Sequence, residues 1–234
     1  PRRSSTLPVE RSLQSRSMRQ RHYAASQGNS DGRGGDHFAH EGMLKKAILG
    51  HWNAVTELQK LVNANKIQAY NLPQGTLSQY FRDVAAHRVG TITHVGLETF
   101  ADPRVSGGCL NDVTKEDFVK VIQIEGQDQL FYPRMDINVA LIRGTYADEW
   151  GNVVLSKEVA PLDATAIAQA VRNSGGTVIV QVEKIVKGGV LDPKLVKVPG
   201  VYVDYIVETA ESKYCEQSFD CEYDAALTGE VTVP

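Results

Sequence analysis

Five stretches of this chain carry residue types that can do chemistry, and each also has a plain structural use. Pro73-Gln74-Gly75 falls where a short apolar strand, Ile67–Asn71, gives way to a helix. In open α/β sheets ligands gather at that carboxyl edge. The helix N-terminus there offers unpaired N–H groups and a partial positive charge, suited to a carboxylate or thioester oxygen. Gln74 can add a side-chain donor, although the three residues also make a structural turn. Ser26–Asp36 holds Gly28, Gly32, Gly34 and Gly35, whose amides can cradle an anion. It matches neither G-x-G-x-x-G nor the P-loop, and a surface turn explains it too. His37 and His40 stand three apart before Glu41, as metal ligands on one helix face would. There is no H-E-x-x-H and no evident third ligand, so packing or capping histidines are the alternative. Asp148 and Glu149 are adjacent acids, usable for proton transfer but equally at home in a solvated turn. Cys109 follows two glycines without a base partner, which argues against a nucleophile.

These residues need elements to hold them, and Ile137–Val186 is the clearest stretch. Ile137–Arg143 is a short apolar run rich in β-branched residues and reads as a strand. Asp148–Asn152 is a turn and Val153–Leu155 a brief strand. Asp163 stands where it can cap a helix with Ala164, Ile167, Ala168 and Val171 on one face. Gly175-Gly176 stops that helix, and Thr177–Val182 is a second apolar strand. Strand, helix and strand form a crossover unit, and a parallel sheet needs both faces covered. The expected fold is α/β: an open, mainly parallel sheet flanked by helices.

Elsewhere, His22–Ala25 reads as the stub of a strand. Gly42–Leu49 and Trp52–Ala64 show helical spacing, broken at Gly50, with Val55, Leu58, Leu61 and Val62 together in the second. Thr76 and Gln79 fit a capping box for the next helix, whose face is Leu77, Tyr80, Phe81, Val84 and Ala85. Thr91–Val95, Val119–Glu125, Gln129–Tyr132 and Val201–Val207 read as strands. Gly96–Asn111 and Lys187–Gly200 read as loops, and from Glu208 the chain turns acidic.

Totals narrow the function. The net charge is −3, and 42% of residues are hydrophobic, enough for a core. No apolar run approaches the roughly 20 residues of a membrane span. Three cysteines without C-x-x-C spacing speak against a disulfide framework or zinc ribbon. Residues 1–21 hold six Arg and one Glu, leaving 19 basic against 27 acidic residues in the remainder. An acidic body disfavours nucleic acid as a partner. The Arg- and Ser-rich start suits a transit peptide or a disordered end. The expected location is cytoplasmic, with a mitochondrial matrix as the alternative. Residues 1–21 are read as an atypical segment, 22–208 as one domain and 209–234 as a linker toward a further domain.

Eight runs in order resemble a known family. They are His37-Phe38-Ala39-His40-Glu41-Gly42, Gly50-His51-Trp52, Tyr70–Gly75, Thr91–Gly96, Asp102-Pro103-Arg104, Tyr146–Asn152, Val180–Val186 and Pro199–Asp204. Together they are similar to the first half of family I CoA-transferases, of the propionate or acetate type. The resemblance implies an α/β domain shared with sugar-phosphate isomerases, and transfer of CoA between an acyl-CoA and a short-chain carboxylate. It implies CoA as a substrate, no permanently bound cofactor, and a homo-oligomer. In that family a Glu forms a glutamyl-CoA thioester. That Glu lies in the second half, in Glu-Ser-Gly or Glu-Asn-Gly, which this chain lacks, so the resemblance makes the chain an incomplete catalyst. Its C-terminal partner half would carry the nucleophile. By the same resemblance Gln74, with Gly75, lines the acyl pocket, and Gln27, Gly28 and Gly96 are further binding residues. Glu98 stands where relatives usually carry Gly. A non-catalytic binding or assembly module of the same fold is the alternative. A sugar-phosphate isomerase is disfavoured, because no compact Lys/Arg cluster accompanies the carboxyl-edge loops.

Overall fold

The computed structural model describes residues 34–209, 211, 214–218 and 221–232. The strand stub at His22–Ala25 and the sites at Gln27 and Gly28 lie outside them. The chain forms two compact units. One takes in the described residues to Leu77 together with Ile92–Pro133, the other Ser78–Thr91 and the residues from Arg134 onward.

In the first unit a 3-10 turn, Gly34–Phe38, precedes β1 (Lys46–Leu49), α1 (Thr56–Asn63) and β2 (Gln68–Asn71). β1 and β2 pair in parallel, Lys46 opposite Gln68 through Leu49 opposite Asn71, so α1 is a crossover helix. The helical reading of Gly42–Leu49 is therefore overturned over β1. All four β1 residues are buried, and a strand covered on both faces loses the alternation that would have betrayed it. Even Lys46 is enclosed, its Nζ 2.6 Å from Glu116 and over the Tyr70 ring. Leu44, Leu49, Val55, Leu58, Val62, Ile67 and Ala69 form the core. α1 begins at Thr56 rather than Trp52, and no residue of its own caps it. The buried Asp36 carboxylate accepts the Leu58 N–H instead, from 22 residues away.

α2 (Gln74–Ala85) starts directly after β2 and is followed by β3 (Gly90–Thr93); the division between the units falls within both elements. β4 (Lys120–Ile124) and β5 (Gln127–Pro133) form an antiparallel hairpin, in a three-stranded sheet ordered β3-β5-β4.

The second unit holds the predicted crossover. β6 (Val139–Arg143) leads through β7 (Tyr146–Asp148) and β8 (Val153–Val154) to α3 (Ala164–Asn173) and β9 (Thr177–Val182). β10 (Lys184–Val186), β11 (Val196–Val198), a 3-10 turn at Gly200–Tyr202, β12 (Tyr205–Glu208) and a short α4 (Ala225–Thr228) complete it. β6, β9 and β12 run parallel in the order β12-β9-β6. β10-β7-β8-β11 is a mixed sheet, in which β7 pairs in parallel with β10 and antiparallel with β8. Val201–Val207 is thus not one strand: its first residues are a 3-10 turn. Lys187–Gly200 contains β11, which the loop reading missed.

Ala168 and Val171 of α3 pack with Ala140, Ile142, Val178, Val180 and Val182 on one face of the parallel sheet. The expectation that both faces are covered fails among the described residues, where Leu141 and Tyr205 are 63% and 60% exposed. Asp163 sits at the N-cap of α3 but makes no side-chain cap bond. Its carboxylate accepts Ser78 Oγ at 2.6 Å and faces Arg82 at 3.4 Å instead. No described helix is long and apolar enough to cross a membrane.

Candidate functional site

The parallel pairing of β1 and β2 places their carboxyl ends side by side, and the chain continues from both into one corner. Leu72 N–H donates to Leu49 O at 2.9 Å, which extends the register past the strands. Leu72 is fully buried, and Pro73 then turns the chain into α2. Leu77 N–H donates to Pro73 O, so the helix begins three residues before the capping-box reading placed it. Thr76 lies inside the first turn and is buried, and Gln79 donates to Asp83. The N–H groups of this first turn have no intrahelical acceptor. A methyl built on Gly75 meets nothing within 4 Å, so open space lies before it.

Gln74 is exposed, and its side chain lies over Gly50, at the end of β1. A Cβ at Gly50 would fall 2.1 Å from Gln74 Oε1 and 2.9 Å from its Cα and Cβ. The break in helical pattern at Gly50 is therefore a requirement of close approach, not a turn signal alone. Gly96 joins the same corner. Its φ of +102° suits glycine. A Cβ there would lie 3.1 Å from Ala101, 3.2 Å from Leu130 and 3.6 Å from Pro73. Of the sequence-assigned residues, Gln74, Gly75 and Gly96 thus share one neighbourhood.

Two supports were not evident from the sequence. Asn71, at the end of β2, buries its Oδ1 without a hydrogen-bond partner among the described residues. Such a group is a ready acceptor for a ligand or water. The Gly96 loop is anchored by Asp102, which is fully buried. Its carboxylate accepts the N–H groups of Glu98 and Arg104, each at 2.9 Å, and the Arg104 guanidinium at 2.7 Å. Arg104 reaches on to Asp128 at 2.6 Å. Arg104 and the two amides hold the Asp102 carboxyl well below the usual carboxylate range, although burial opposes them. Glu98 has a φ of +61°, a left-handed conformation that glycine adopts at least cost. Tyr132, buried in the same unit, has its phenol pushed up to about 12 by desolvation, with Thr76 acting against it.

The other candidates fall elsewhere. Asp148 does form a turn with Glu149, but it is not solvated: it is 1% exposed. It accepts the N–H groups of Trp150 and Asn152 and the Asn152 side-chain amide at 2.9–3.0 Å. It builds the turn rather than moving protons. Cys109 has its thiol pushed up by burial and by Asp117, away from the thiolate a nucleophile needs. No group of three His, Cys, Asp or Glu among the described residues is placed to hold a metal, His37, His40 and Glu41 included.

The coenzyme A transferase family model matches residues 17–209. The chain belongs to this family. It is 45% identical over 180 residues to acetate CoA-transferase YdiF of Escherichia coli K12, covering 77% of this chain and 34% of that protein. It is 42% identical over 194 residues to caffeate CoA-transferase of Acetobacterium woodii, covering 83% of this chain and 37% of that protein. Among solved structures, the E. coli O157:H7 YdiF thioester complex with CoA superposes with a TM-score of 0.80 at 40% identity, over 88% of this chain and 42% of that one. The chain spans little more than a third of the length of these two curated relatives. The α/β architecture read from the sequence and the family resemblance are both borne out.

Proposed function

We propose that this chain supplies the α-like part of a short-chain acyl-CoA:carboxylate CoA-transferase. The nucleophilic Glu, which forms the glutamyl-CoA thioester, comes from polypeptide outside these 234 residues. Gln74 and the first-turn amides of α2 line the acyl pocket and stabilise the charge that develops on the thioester oxygen. The observation that carries this is the Gln74 side chain, exposed and seated on Gly50 where the carboxyl ends of β1 and β2 meet an open helix N-terminus. Supporting it are the family match and the likeness to YdiF, which was solved as a thioester complex with CoA.

The chemistry follows from charge. A carboxylate attacks the thioester and CoA thiolate leaves, giving a mixed anhydride; the thiolate attacks its glutamyl carbonyl, which releases the donor acid and forms the glutamyl thioester. The acceptor acid attacks that thioester to give a second anhydride, and the thiolate takes its acyl group away as the new acyl-CoA and frees the glutamate. Each tetrahedral step places negative charge on the former carbonyl oxygen, and fixed donors there lower the barrier. The expected acyl groups are small, acetate or propionate.

The test uses the full-length polypeptide with propionyl-CoA and acetate, following acetyl-CoA. Gln74→Leu lowers kcat/KM about 10²-fold, the size of effect seen when one oxyanion donor is removed. An unchanged kcat/KM would remove Gln74 from the pocket. The 234-residue chain alone should show no turnover; robust turnover would refute the assignment of the nucleophile to other polypeptide. A full-length protein that is inert on every acyl-CoA offered would favour a binding or assembly module.

A further inference from the structure

The parallel sheet of the second unit has one closed face and one open face. α3 closes the first, burying Ala140, Ile142, Val178, Val180 and Val182. Strand register defines the second. Leu141, Ile179 and Tyr205 stand abreast as one rung across β6, β9 and β12. The next rung toward the carboxyl ends is Arg143, Gln181 and Val207. Leu141 and Tyr205 are exposed, and so is Val139, one rung earlier. Within the three strands Arg143 is the sole charged residue on this face. Parallel sheets are ordinarily covered on both sides, and a contiguous apolar patch left in water marks a place where something docks.

The chain itself covers only the polar end of this face. Gln181 Nε2 donates to Tyr214 O and Arg143 to Cys215 O, each at 2.9 Å, and Arg143 donates to Glu216 O as well. Glu158 braces the guanidinium, 3.5 Å from its Nε. Residues 214–216, which the sequence presents as part of a linker, are thus strapped across the rung at the carboxyl ends. The apolar rung beside it stays open among the described residues. The apolar faces of α1, α2 and α3 are already buried, and α4 has only four residues. The Arg- and Ser-rich residues 1–21 carry no clear apolar stripe. Three strands about 4.8 Å apart make a strip about 10 Å wide, the width of one α-helix.

We infer that this strip docks an amphipathic helix from polypeptide outside these 234 residues, its apolar side resting on Leu141, Ile179 and Tyr205. The CoA-transferase relatives carry such polypeptide, since the chain spans little more than a third of their length. A tethered segment meets the strip at a high effective concentration, an advantage a separate protein lacks. A second copy of the chain could offer only the same sheet face, because its own helices are equally engaged. The inference rests on the reading that the working transferase is longer than this chain, and it is independent of Gln74 and of the transfer step.

The experiment replaces Leu141 by the photo-crosslinker p-benzoylphenylalanine in the full-length polypeptide and identifies the linked peptide by mass spectrometry. The expected peptide lies outside the 234 residues and has apolar residues recurring every third or fourth position. A linked peptide drawn only from the 234 residues, whether from the same molecule or from a second copy, would overturn the inference. Leu141→Cys gives a second measurement without the bulky probe. Maleimide labels its thiol about tenfold or more slowly in the folded full-length protein than in the same protein unfolded in urea. Labelling as fast as in urea would show an open face and overturn the inference too. Wild-type turnover of propionyl-CoA with acetate separates this inference from the reading beneath it. An active protein with a freely labelled position 141 loses the docked helix and keeps the transferase; an inert protein with a protected position 141 does the reverse.

Discussion

Two turns of this chain are organised around a buried aspartate, and they are closed by different chemistry. In the Gly96 loop, Asp102 meets a full positive charge, and Arg104 passes the connection on to Asp128 at the β4–β5 hairpin. In the Trp150 turn, Asp148 meets only amides, two from the backbone and one from Asn152. The first arrangement fastens a loop to another element; the second fastens a hairpin to itself. Asn152 then extends the second outward, because its Oδ1 accepts the Gly200 N–H at 3.0 Å. A charged bridge is the means to span distance, and a fan of amides is the means to fix a tight bend. The first carries Gly96, assigned to the acyl pocket; the second carries Trp150, an exposed indole seated against Gly188 and Gly189.

The contrast breaks most visibly at Asp102. Asp102→Ala strips the acceptor from two loop amides and leaves Arg104 with Asp128 alone. Arg104 is half exposed, so its guanidinium recovers water, and most of the cost falls on the stranded amides. A loss of about 3 kcal/mol in urea unfolding is expected. Transfer activity should fall as well, since Gly96 packs on Pro73 beside Gln74. A loss below about 1 kcal/mol would mean that other contacts hold the loop, and that the carboxylate is dispensable.

Asp148→Ala should cost somewhat less, about 2 kcal/mol, because the stranded groups are neutral amides at a turn tip that water can reach. Its sharper readout is local. The Trp150 indole loses its fixed seat, and its fluorescence becomes more mobile in anisotropy measurements while Trp52, hydrogen-bonded to Tyr70 O, stays unchanged. An unchanged Trp150 signal would show that Gly188 and Gly189 hold the ring without help.

How much of this was legible depended on how local the cause is. The β6–α3–β9 crossover came through because each element announces itself within its own residues, from the apolar run to the Gly175-Gly176 stop. Gln74 came through partly by position, at a strand-to-helix junction, and partly by the family pattern around it. β1 did not, since Lys-Lys-Ala-Ile-Leu has helical spacing and only its burial beside β2 makes it a strand. The cap of α1 was invisible because Asp36 reaches it from another segment, and Thr76 misled because a Ser/Thr-x-x-Gln pattern does not say where a preceding proline has already turned the chain. Asp148 was recognised as a turn residue but its burial was not, because the Gly200 end of the pairing lies 48 residues away.

Acid sharpens the comparison by a smaller margin. A carboxyl held below its ordinary value stabilises the native state at pH values above its unfolded pKa, and that stability is lost as pH falls toward the folded value. For Asp102 the shift is downward, caused first by Arg104 and then by the Glu98 and Arg104 amides against the pull of burial. Its contribution is therefore complete above about pH 4, the unfolded aspartate range, and drains away only below it. Urea midpoints of wild type and Asp102→Ala should accordingly differ by a constant amount from pH 7 to about 4.5, then converge by about 1 kcal/mol as the solution is taken to about pH 3. The variant has no carboxyl left to protonate at that position, so the convergence belongs to Asp102 rather than to the other acids, which both proteins share. A gap that stayed constant down to about pH 3 would mean that the carboxylate's charge contributes nothing to fastening the Gly96 loop, and the distinction between a charge-bridged turn and an amide-bound one would collapse.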